Sequence, residues 1–549
     1  MRKTVKKLTA VGLTVTSVLG LVACGSSKGT TSQGTSENKE VTKPDTFTVM
    51  CDGTVVTETN GAEAFYKQLN EATGLDIKWT RPDHASYYDA VANAFNSDDT
   101  MPDVVLLSSD YYALYASNGF LWNMTDAWEH SETKNSGRLI STADNVLSAL
   151  MVNGEDGTKA MYGLSLYRGN GCCTYVKKAW LDKAGIDASK VKDVQMDFNT
   201  YYGYLKQMAQ TMGHYVISSP GFIHPEAPNT NYLPEFYQKA QYTFYKDTSG
   251  KYVDGFAQQE MKEALQRIQT AVNDGVIDKE SVNNSTANAR DKFYSTDPST
   301  ETGVFTYWAG TWANTLKTNL ANKGLDDELI AIKPIKELGA YTERIAPCWC
   351  ITSAAKNPEG IFKYFIDKML DGGDVQMLWT HGAKGTHWDD KAETVTVEKK
   401  EDQPKTYTEG QFHYLPGIEK PDQWQTKNHI DPILSIANFT NGYVGESLIP
   451  EVARENGEFF AENSQVAVPL PMTSELSNNI GDINTARTYV IAQVALGYMT
   501  VDEGMDYYNK TVGSLSNAVL KSLNTASETL SCEKSLISRI DAYSLRNDK

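Results

Sequence analysis

Beyond its first two dozen residues, the 549-residue chain has no run approaching the ~20 apolar residues that span a bilayer, which excludes a polytopic membrane protein. Basic residues are in deficit: 51 Lys and Arg face 69 Asp and Glu, for a formal charge of -18. A protein that tracks nucleic-acid phosphates needs the opposite balance to release counterions, so no nucleic-acid partner is expected. The common catalytic signatures are missing as well, with no Gly-x-Ser-x-Gly, no His-Glu-x-x-His and no Gly-x-x-x-x-Gly-Lys-Ser/Thr. Arg168-Gly-Asn-Gly171 is a lone Gly-x-Gly without a third glycine, and the chain contains no internal repeat. After Cys24, cysteine is limited to Cys51, Cys172, Cys173, Cys348, Cys350 and Cys532. An adjacent pair and a Cys-x-Cys pair do not match the spacing of a disulfide scaffold, and zinc sites place at least two residues between paired ligands. Buried small hydrophobes are the expected role, and the redox state of the two pairs stays open. No metal and no cofactor is expected.

Aromatics, by contrast, are plentiful. Ten Trp, 30 Tyr and 17 Phe provide ample apolar surface to offset chain entropy, so the chain is not disordered. Its length exceeds the ~250 to 300 residues that one hydrophobic core fills, and two or three cores are expected.

The N-terminus has the layout of an export signal. Arg2, Lys3, Lys6 and Lys7 form a positive region, Leu8 to Val22 an apolar one, and small residues follow at Ala23-Cys24-Gly25. Leu21-Val-Ala-Cys-Gly25 resembles the lipobox of bacterial lipoproteins, which implies a signal peptide over residues 1–23 and acylation (palmitate) of Cys24. Without the four basic residues of the leader, the formal charge of -18 becomes -22. Residues 24–44, rich in Gly, Ser and Thr, read as a flexible tether with a reach of ~25 Å. The folded body is thus expected outside the cell, lipid-anchored to the bacterial membrane.

From Thr46 onward, short β-branched runs alternate with helical patterns. Thr46 to Cys51, Leu75 to Trp79 and Pro102 to Leu107 read as strands, separated by helices over Ala62 to Thr73 and Tyr87 to Phe95. That β-α-β-α-β order predicts a parallel sheet, with ligand sites outside the strand ends at Cys51-Asp52 and Ser108-Ser109-Asp110. Further on, helices are expected at Trp180 to Ala184, Thr200 to Thr211 and Gln258 to Asn273, and strands at Cys173 to Val176 and Gly303 to Tyr307. Lys246 to Asp254 offers only Asp247 and Asp254 as carboxylates, too few for calcium, and reads as a hairpin turning at Ser249-Gly250. Glu393 to Thr408 reads as a second hairpin, charged on both strands.

Several segments in order resemble the extracellular solute-binding proteins of ABC importers. They are Tyr162-Gly-Leu164 with Tyr175 to Ile186, Gly303 to Trp312 (GVFTYWAGTW), Ile351 to Glu359 leading into a helix over Gly360 to Met369, and Ala486 to Tyr508. The length and the turn Gly382-Ala-Lys-Gly-Thr-His-Trp388 are similar to the larger carbohydrate-binding members, family 1-like. Some members carry a structural calcium after the helix corresponding to Thr200 to Thr211. Met212-Gly-His-Tyr-Val216 has no carboxylate there, so the site is not expected here. The resemblance covers roughly residues 45 to 510. It implies an α/β, two-lobed periplasmic-binding-protein-like fold with a hinge and a central ligand cleft. One lobe would comprise 45–166 plus 352–450 and the other 167–351 plus 451–549. Crossings would lie near Tyr167 to Tyr175, Cys348 to Ser353 and Ile449 to Leu470, which would put the two Cys pairs on neighbouring hinge strands. A monomer that captures an oligosaccharide and passes it to the transmembrane subunits of an ABC permease is the function implied.

Neutral sugars are recognised by flat aromatic faces and planar hydrogen-bonding groups. The residues of these types on segments expected to face the cleft are Asp110, Tyr167, Arg168, Trp308, Trp312, Trp349, Trp379, His387 and Trp388. Asn229, Asn231, Tyr232 and Phe236 belong to or adjoin a Pro-rich loop, Ser218 to Pro234, which reads as a rim of the cleft or, preferably, as a packed surface loop. Two other functions compete. An exported glycoside hydrolase needs only two carboxylates about 5 to 9.5 Å apart, and a binder of peptides or acidic solutes could use Arg168.

Overall fold

The computed structural model describes residues 41–53, 61–83, 86–155, 157–223, 230–325, 327–395, 405–415, 430–440, 450–468, 470–471 and 473–544. The side chains at 109–110, 395, 405, 474 and 526–544 are excepted. Cys24, Asn229 and the leader and tether through residue 40 lie outside the described residues, as do the side chains of Asp110 and Cys532. The folded body is the unit Thr42–Lys549.

Two sheets organise it. The strands of these sheets and of a separate two-stranded pair, β7 and β9, are in chain order β1 (Thr46–Met50), β2 (Asp76–Thr80), β3 (Val104–Leu107), β4 (Cys172–Lys177), β5 (Val304–Trp308), β6 (Leu329–Ala331), β7 (Tyr341–Glu343), β8 (Cys348–Ile351) and β9 (Ser464–Val466). The first sheet has the order β8-β3-β1-β2. β1 runs parallel to β2, with Thr46 opposite Asp76, and parallel to β3, with Val49 opposite Val104. The expected β-α-β-α-β unit is therefore present, with helices α1 (Ala62–Thr73) and α2 (Tyr87–Ala94) as its crossovers. α1 buries Phe65 and Leu69 and stops at Gly74, whose left-handed backbone donates its N–H to the Asn70 carbonyl. All four residues of β3 are buried, as in a strand covered on both faces. β8 joins antiparallel, with Cys348 opposite Leu107.

The second sheet, β6-β4-β5, is antiparallel throughout, with Cys172 opposite Trp308 and Leu329 opposite Lys177. Separate hydrophobic clusters surround the two sheets. Val49, Phe65, Val105, Trp349 and Trp379 belong to the first; Trp180, Leu205, Leu265 and Val490 belong to the principal cluster of the second. The latter includes residues of the paired helices Ser474–Ala495 and Val501–Ser544. Among the described residues, no helix is long and apolar enough to cross a membrane.

Three segments run between the cores. Leu164 and Leu166 belong to the first and Cys173 to the second side; Tyr341 and Ile345 bracket a return passage; Phe460 and Val466 bracket a third, where β9 pairs parallel with β7. The Cys pairs are not on neighbouring strands, contrary to expectation. Cys172 and Cys173 lie on β4 between β6 and β5, while Cys348 and Cys350 lie on β8 beside β3. Cys51, Cys173, Cys348 and Cys350 are free thiols, and these four and Cys172 are all buried.

The helix expected over Gly360 to Met369 is present and continuous, with its winding changing from α at Pro358–Ile361 to wider at Phe362–Ile366 and tighter at Asp367–Leu370. The buried Asp367 carboxylate accepts the Glu132 and Thr133 backbone N–H groups at 2.9 and 3.2 Å, and the winding accommodates that inward turn. The hairpin at Lys246 forms as expected, Phe244–Lys246 pairing with Tyr252–Asp254 around a turn closed by the Asp247 carboxylate. Of the second hairpin, Glu393–Val395 pairs with Lys405–Tyr407, and residues 396–404 lie outside the described residues.

Candidate functional site: an aromatic cavity

A cavity of about 400 Å³ opens where the second sheet meets the crossings. Tyr307 and Trp308, at the end of β5, line it together with Thr311 and Trp312 of the following helix, Thr311–Asn322. Tyr232, Thr286, Asn170, Arg344 and Asp431 complete the wall with Ala309.

The strand-to-helix turn is built to carry the two tryptophans. Gly310 adopts φ 67° and ψ -120°, a backbone open to glycine, and its N–H donates to the Asn456 side chain at 2.7 Å. Asn456 is itself buried on helix Glu451–Asn463, so the turn is fastened from behind. The Trp312 ring meets Tyr307 edge-on at 5.0 Å, and Tyr232 stacks with Tyr307 at 6.1 Å. Arg344 lies 4.6 Å from the centroid of Trp308, and Arg290 lies 5.3 Å from that of Trp312 while donating to the Tyr307 hydroxyl at 2.9 Å. Aromatic faces, the Arg344 guanidinium and one carboxylate thus share one concave surface of a size suited to a small ligand.

The crossings deliver the remaining polar groups. Asn170 donates to the Ala309 carbonyl at 3.0 Å and accepts the Gly171 N–H at 2.8 Å. The flanking glycines permit this placement. A Cβ at Gly169 would sit 1.3 Å from the Arg344 carbonyl oxygen, and one at Gly171 2.2 Å from that of Thr342. The lone Gly-x-Gly is therefore the contact of two crossing backbones, sealed by the Arg344 N–H to the Asn170 carbonyl at 3.2 Å.

The residues singled out in the sequence separate sharply. Trp308 and Trp312 line the cavity. Tyr167 does not, but it lies close enough to feel the charges of Arg344 and Asp431, and burial pushes its phenol up to about 12. Arg168 turns away and forms a buried ion pair with Glu343, whose carboxyl burial nevertheless holds above its ordinary value. Trp349 and Trp379 are core residues, each 1% exposed, meeting edge-on at 5.6 Å. Alternation on β8 could not reveal this, because all four of its residues are buried.

His387 and Trp388 are also buried away from the cavity. His387 Nδ1 accepts the Ala383 N–H at 2.7 Å and Trp388 donates to the Gly382 carbonyl at 2.8 Å, so both serve to hold their own turn. Asp110 is the second residue of the helix Ser109–Ser117; its side chain lies outside the described residues. Neither Cys51, Asp52 nor Ser108 lines the cavity, so the strand ends of the first sheet do not form its wall.

Tyr232, read in sequence as part of a packed loop, does line the cavity, whereas Phe236 of the same region is core. Arg344, Asp431 and Asn170 were missed. The only available signal was Gly-Asn-Gly, a pattern that marks close backbone approach. Behind the wall sits Glu235, 1% exposed, accepting from Thr174 at 2.8 Å and Tyr341 at 3.3 Å; burial raises its carboxyl to about 7. Among the described residues, no group of three or more His, Cys, Asp or Glu is placed to hold a metal ion.

No family model and no curated protein matches the sequence. Solved structures do match in fold. The chain is similar to an extracellular solute-binding protein from Bifidobacterium longum subsp. infantis, with TM-score 0.58 and 14% identity over 88% of this chain and 98% of that one. It is also similar to the N-glycan transport solute binding protein NgtS of Streptococcus pneumoniae (TM-score 0.57, 16% identity, 89% and 99% covered). The alginate-binding protein AlgQ2 compares at TM-score 0.56 and 16% identity, with 89% and 99% covered. The fold is that of the extracellular solute-binding proteins. The cavity lies against two of the crossings between the cores, those at 164–171 and 341–348.

Proposed function

We propose that the protein is the solute-binding component of an ABC importer, capturing a carbohydrate outside the cell and delivering it to the membrane permease. The observation that carries this reading is the pairing of Trp308 and Trp312 on one turn of a cavity also walled by Tyr232 and Tyr307. Aromatic faces suit the C–H sides of sugar rings, while Asn170, Thr286, Thr311 and Asp431 offer groups for hydroxyls. Fold neighbours whose names specify N-glycan transport and alginate binding lend further support.

Binding would draw the lobes together through contacts to both, with no covalent step. Trp308 and Trp312 stack on the ligand, Arg344 and Asn170 report its presence to the crossings, and Asp431 contributes from the other side. Cys24 is the proposed lipid anchor, holding a monomeric protein at the outer face of the cell membrane. Calorimetry of the purified protein against a glycan panel, with product analysis of the same samples, tests the reading. Binding without turnover supports it, and released monosaccharide would favour the hydrolase instead.

A further inference from the structure

The cavity wall is assembled from segments distant in sequence, and one buried side chain joins them. Glu235 lies behind the wall and accepts the Thr174 hydroxyl of β4 at 2.8 Å and the Tyr341 hydroxyl of β7 at 3.3 Å. Thr174 is in turn 2.7 Å from the hydroxyl of Thr306, its partner on β5. Each of these contacts stands close to a lining residue on the same segment. Asn170 precedes Thr174, Tyr307 and Trp308 follow Thr306, and Arg344 follows Tyr341. Tyr232 is carried by the segment of Glu235 itself and stacks with Tyr307 at 6.1 Å.

The segment bearing Glu235 is also held under backbone strain. Gln238, which ends the short helix Pro234–Tyr237, has φ 54° and ψ -118° and is the one non-glycine residue with positive φ among the described residues. Such a conformation persists only where the surroundings fix it, and strain of this kind gathers at ligand clamps. Arg267, on helix Gln259–Asn273, supplies part of that hold by donating to the Phe236 carbonyl at 2.8 Å and to the Tyr237 carbonyl at 3.5 Å.

Glu235 forms no ion pair among the described residues. The titratable groups facing it are the Tyr201 and Tyr341 phenols and the Cys173 thiol, all kept neutral by burial. The cations packed around it are engaged elsewhere: Arg267 by the two carbonyls, Arg168 by Glu343 beside Tyr341, and Arg290 by the Tyr307 hydroxyl at 2.9 Å. Burial therefore favours the neutral carboxyl and raises it to about 7. Once ionised, it would need water to solvate it, and the cavity is the space from which water can approach. A ligand that fills the cavity removes that water.

We infer that Glu235 is a positioning residue of the ligand site: through Thr174, Thr306, Tyr341 and its own segment, its uncharged carboxyl sets the places of Tyr232, Tyr307, Trp308 and Arg344, and the ligand binds more weakly once that carboxyl is ionised. The inference rests on the reading of the cavity as the carbohydrate site and adds to it a proton taken up from solvent on binding.

Two measurements on the purified protein test this. In protein labelled with 5-fluorotryptophan, the Trp308 and Trp312 fluorine signals, assigned with Trp308→Phe and Trp312→Phe, should move between pH 6 and 8 with a midpoint of about 7, while that of Trp349 in the first core stays in place. Glu235→Gln keeps the shape and the acceptor without the charge, so its signals should stay fixed over that range. Calorimetry with uncharged di- to tetrasaccharides, repeated in buffers of different ionisation enthalpy, should show affinity falling roughly tenfold from pH 6 to pH 8, with proton uptake at the higher pH. Glu235→Gln should bind at pH 8 as the parent does at pH 6, without proton uptake. Thr174→Val removes a donor to the carboxylate and should move both midpoints to higher pH. Signals and affinities that ignore pH in the parent, or that respond equally in Glu235→Gln, overturn the inference and leave the carbohydrate reading standing. Fluorine signals that respond only in the parent while no glycan binds would support the placement of Glu235 and remove the carbohydrate reading instead.

Discussion

The Trp312 ring stands perpendicular to that of Tyr307 with centroids 5.0 Å apart, so one corner of the cavity is formed by an aromatic edge set against an aromatic face. Trp308 on the preceding turn adds a second indole to the same wall. Trp308→Ala and Trp312→Ala should each weaken ligand binding by ~1 to 3 kcal/mol, read by calorimetry, with little change in melting temperature. Trp349→Ala and Trp379→Ala should do the reverse. Both rings are 1% exposed in the first core, and their removal should cost ~3 to 5 kcal/mol of stability in denaturant titrations. Loss of binding without loss of stability in these two would contradict the placement.

Gly169→Ala should be among the most damaging small substitutions in the chain. The added methyl would lie 1.3 Å from the Arg344 carbonyl oxygen, a backbone atom that cannot swing aside as a flexible side chain can. A loss of ~3 kcal/mol or more is expected in a thermal or urea melt, because overpacking here forces two crossings apart. Gly185→Ala meets no neighbour within 4 Å, yet its φ of 68° is left-handed, so a smaller loss of about 1 kcal/mol is expected there.

Glu235 should make stability depend on pH. Its carboxyl is raised by burial from 4.5 to about 7, so the fold favours the neutral form. That contribution is complete below the unfolded value near 4.5 and is lost as pH rises through about 7. Glu235→Gln should therefore flatten the stability profile between pH 5 and 8, and at pH 8 the variant should exceed the parent by about 2 to 3 kcal/mol. Urea midpoints across that range provide the check; a parallel offset at every pH would refute the assignment.

Asp254 joins the C-terminal helices to the hairpin of Phe244–Lys246 and Tyr252–Asp254 through one carboxylate. It receives Arg487 at 2.8 Å, and Tyr508 and Ser516 each at 2.6 Å. The Arg487 side chain is fully buried among Tyr242, Phe244 and Phe256. Asp254→Asn should cost ~3 to 5 kcal/mol, because the guanidinium would remain buried without its counter-charge. Replacing Arg487 and Asp254 together should cost less than the sum of the single changes, a coupling measurable in a double-mutant cycle.

Local pattern was readable wherever one short segment decides its own fate. Apolar spacing with Gly74 beyond the last turn placed the first helix at Ala62–Thr73, and the continuous run ending at Leu107 marked a strand covered on both faces. Trp308 and Trp312, flanking Ala309-Gly310, were legible as turn residues because only a turn needs glycine between two bulky rings. Trp349 and Trp388 were not separable from them, since an indole in a short run is equally compatible with a cleft and a core.

What the amino-acid sequence determined alone was the acidic balance, the parallel unit β1-β2-β3 and the tryptophan-bearing turn. These depend on composition or on neighbours within a few residues. Only the tertiary structure decided which polar groups meet. Arg168 is consumed by Glu343, 175 positions away, while Arg344 is left stacked on Trp308 and Asp431 arrives from a distant segment. The physical reason is that ion pairing, burial and cavity lining are set by which segments cross, and the crossing of residues 168–171 over 342–346 is a relation between distant parts of the chain that no local pattern encodes.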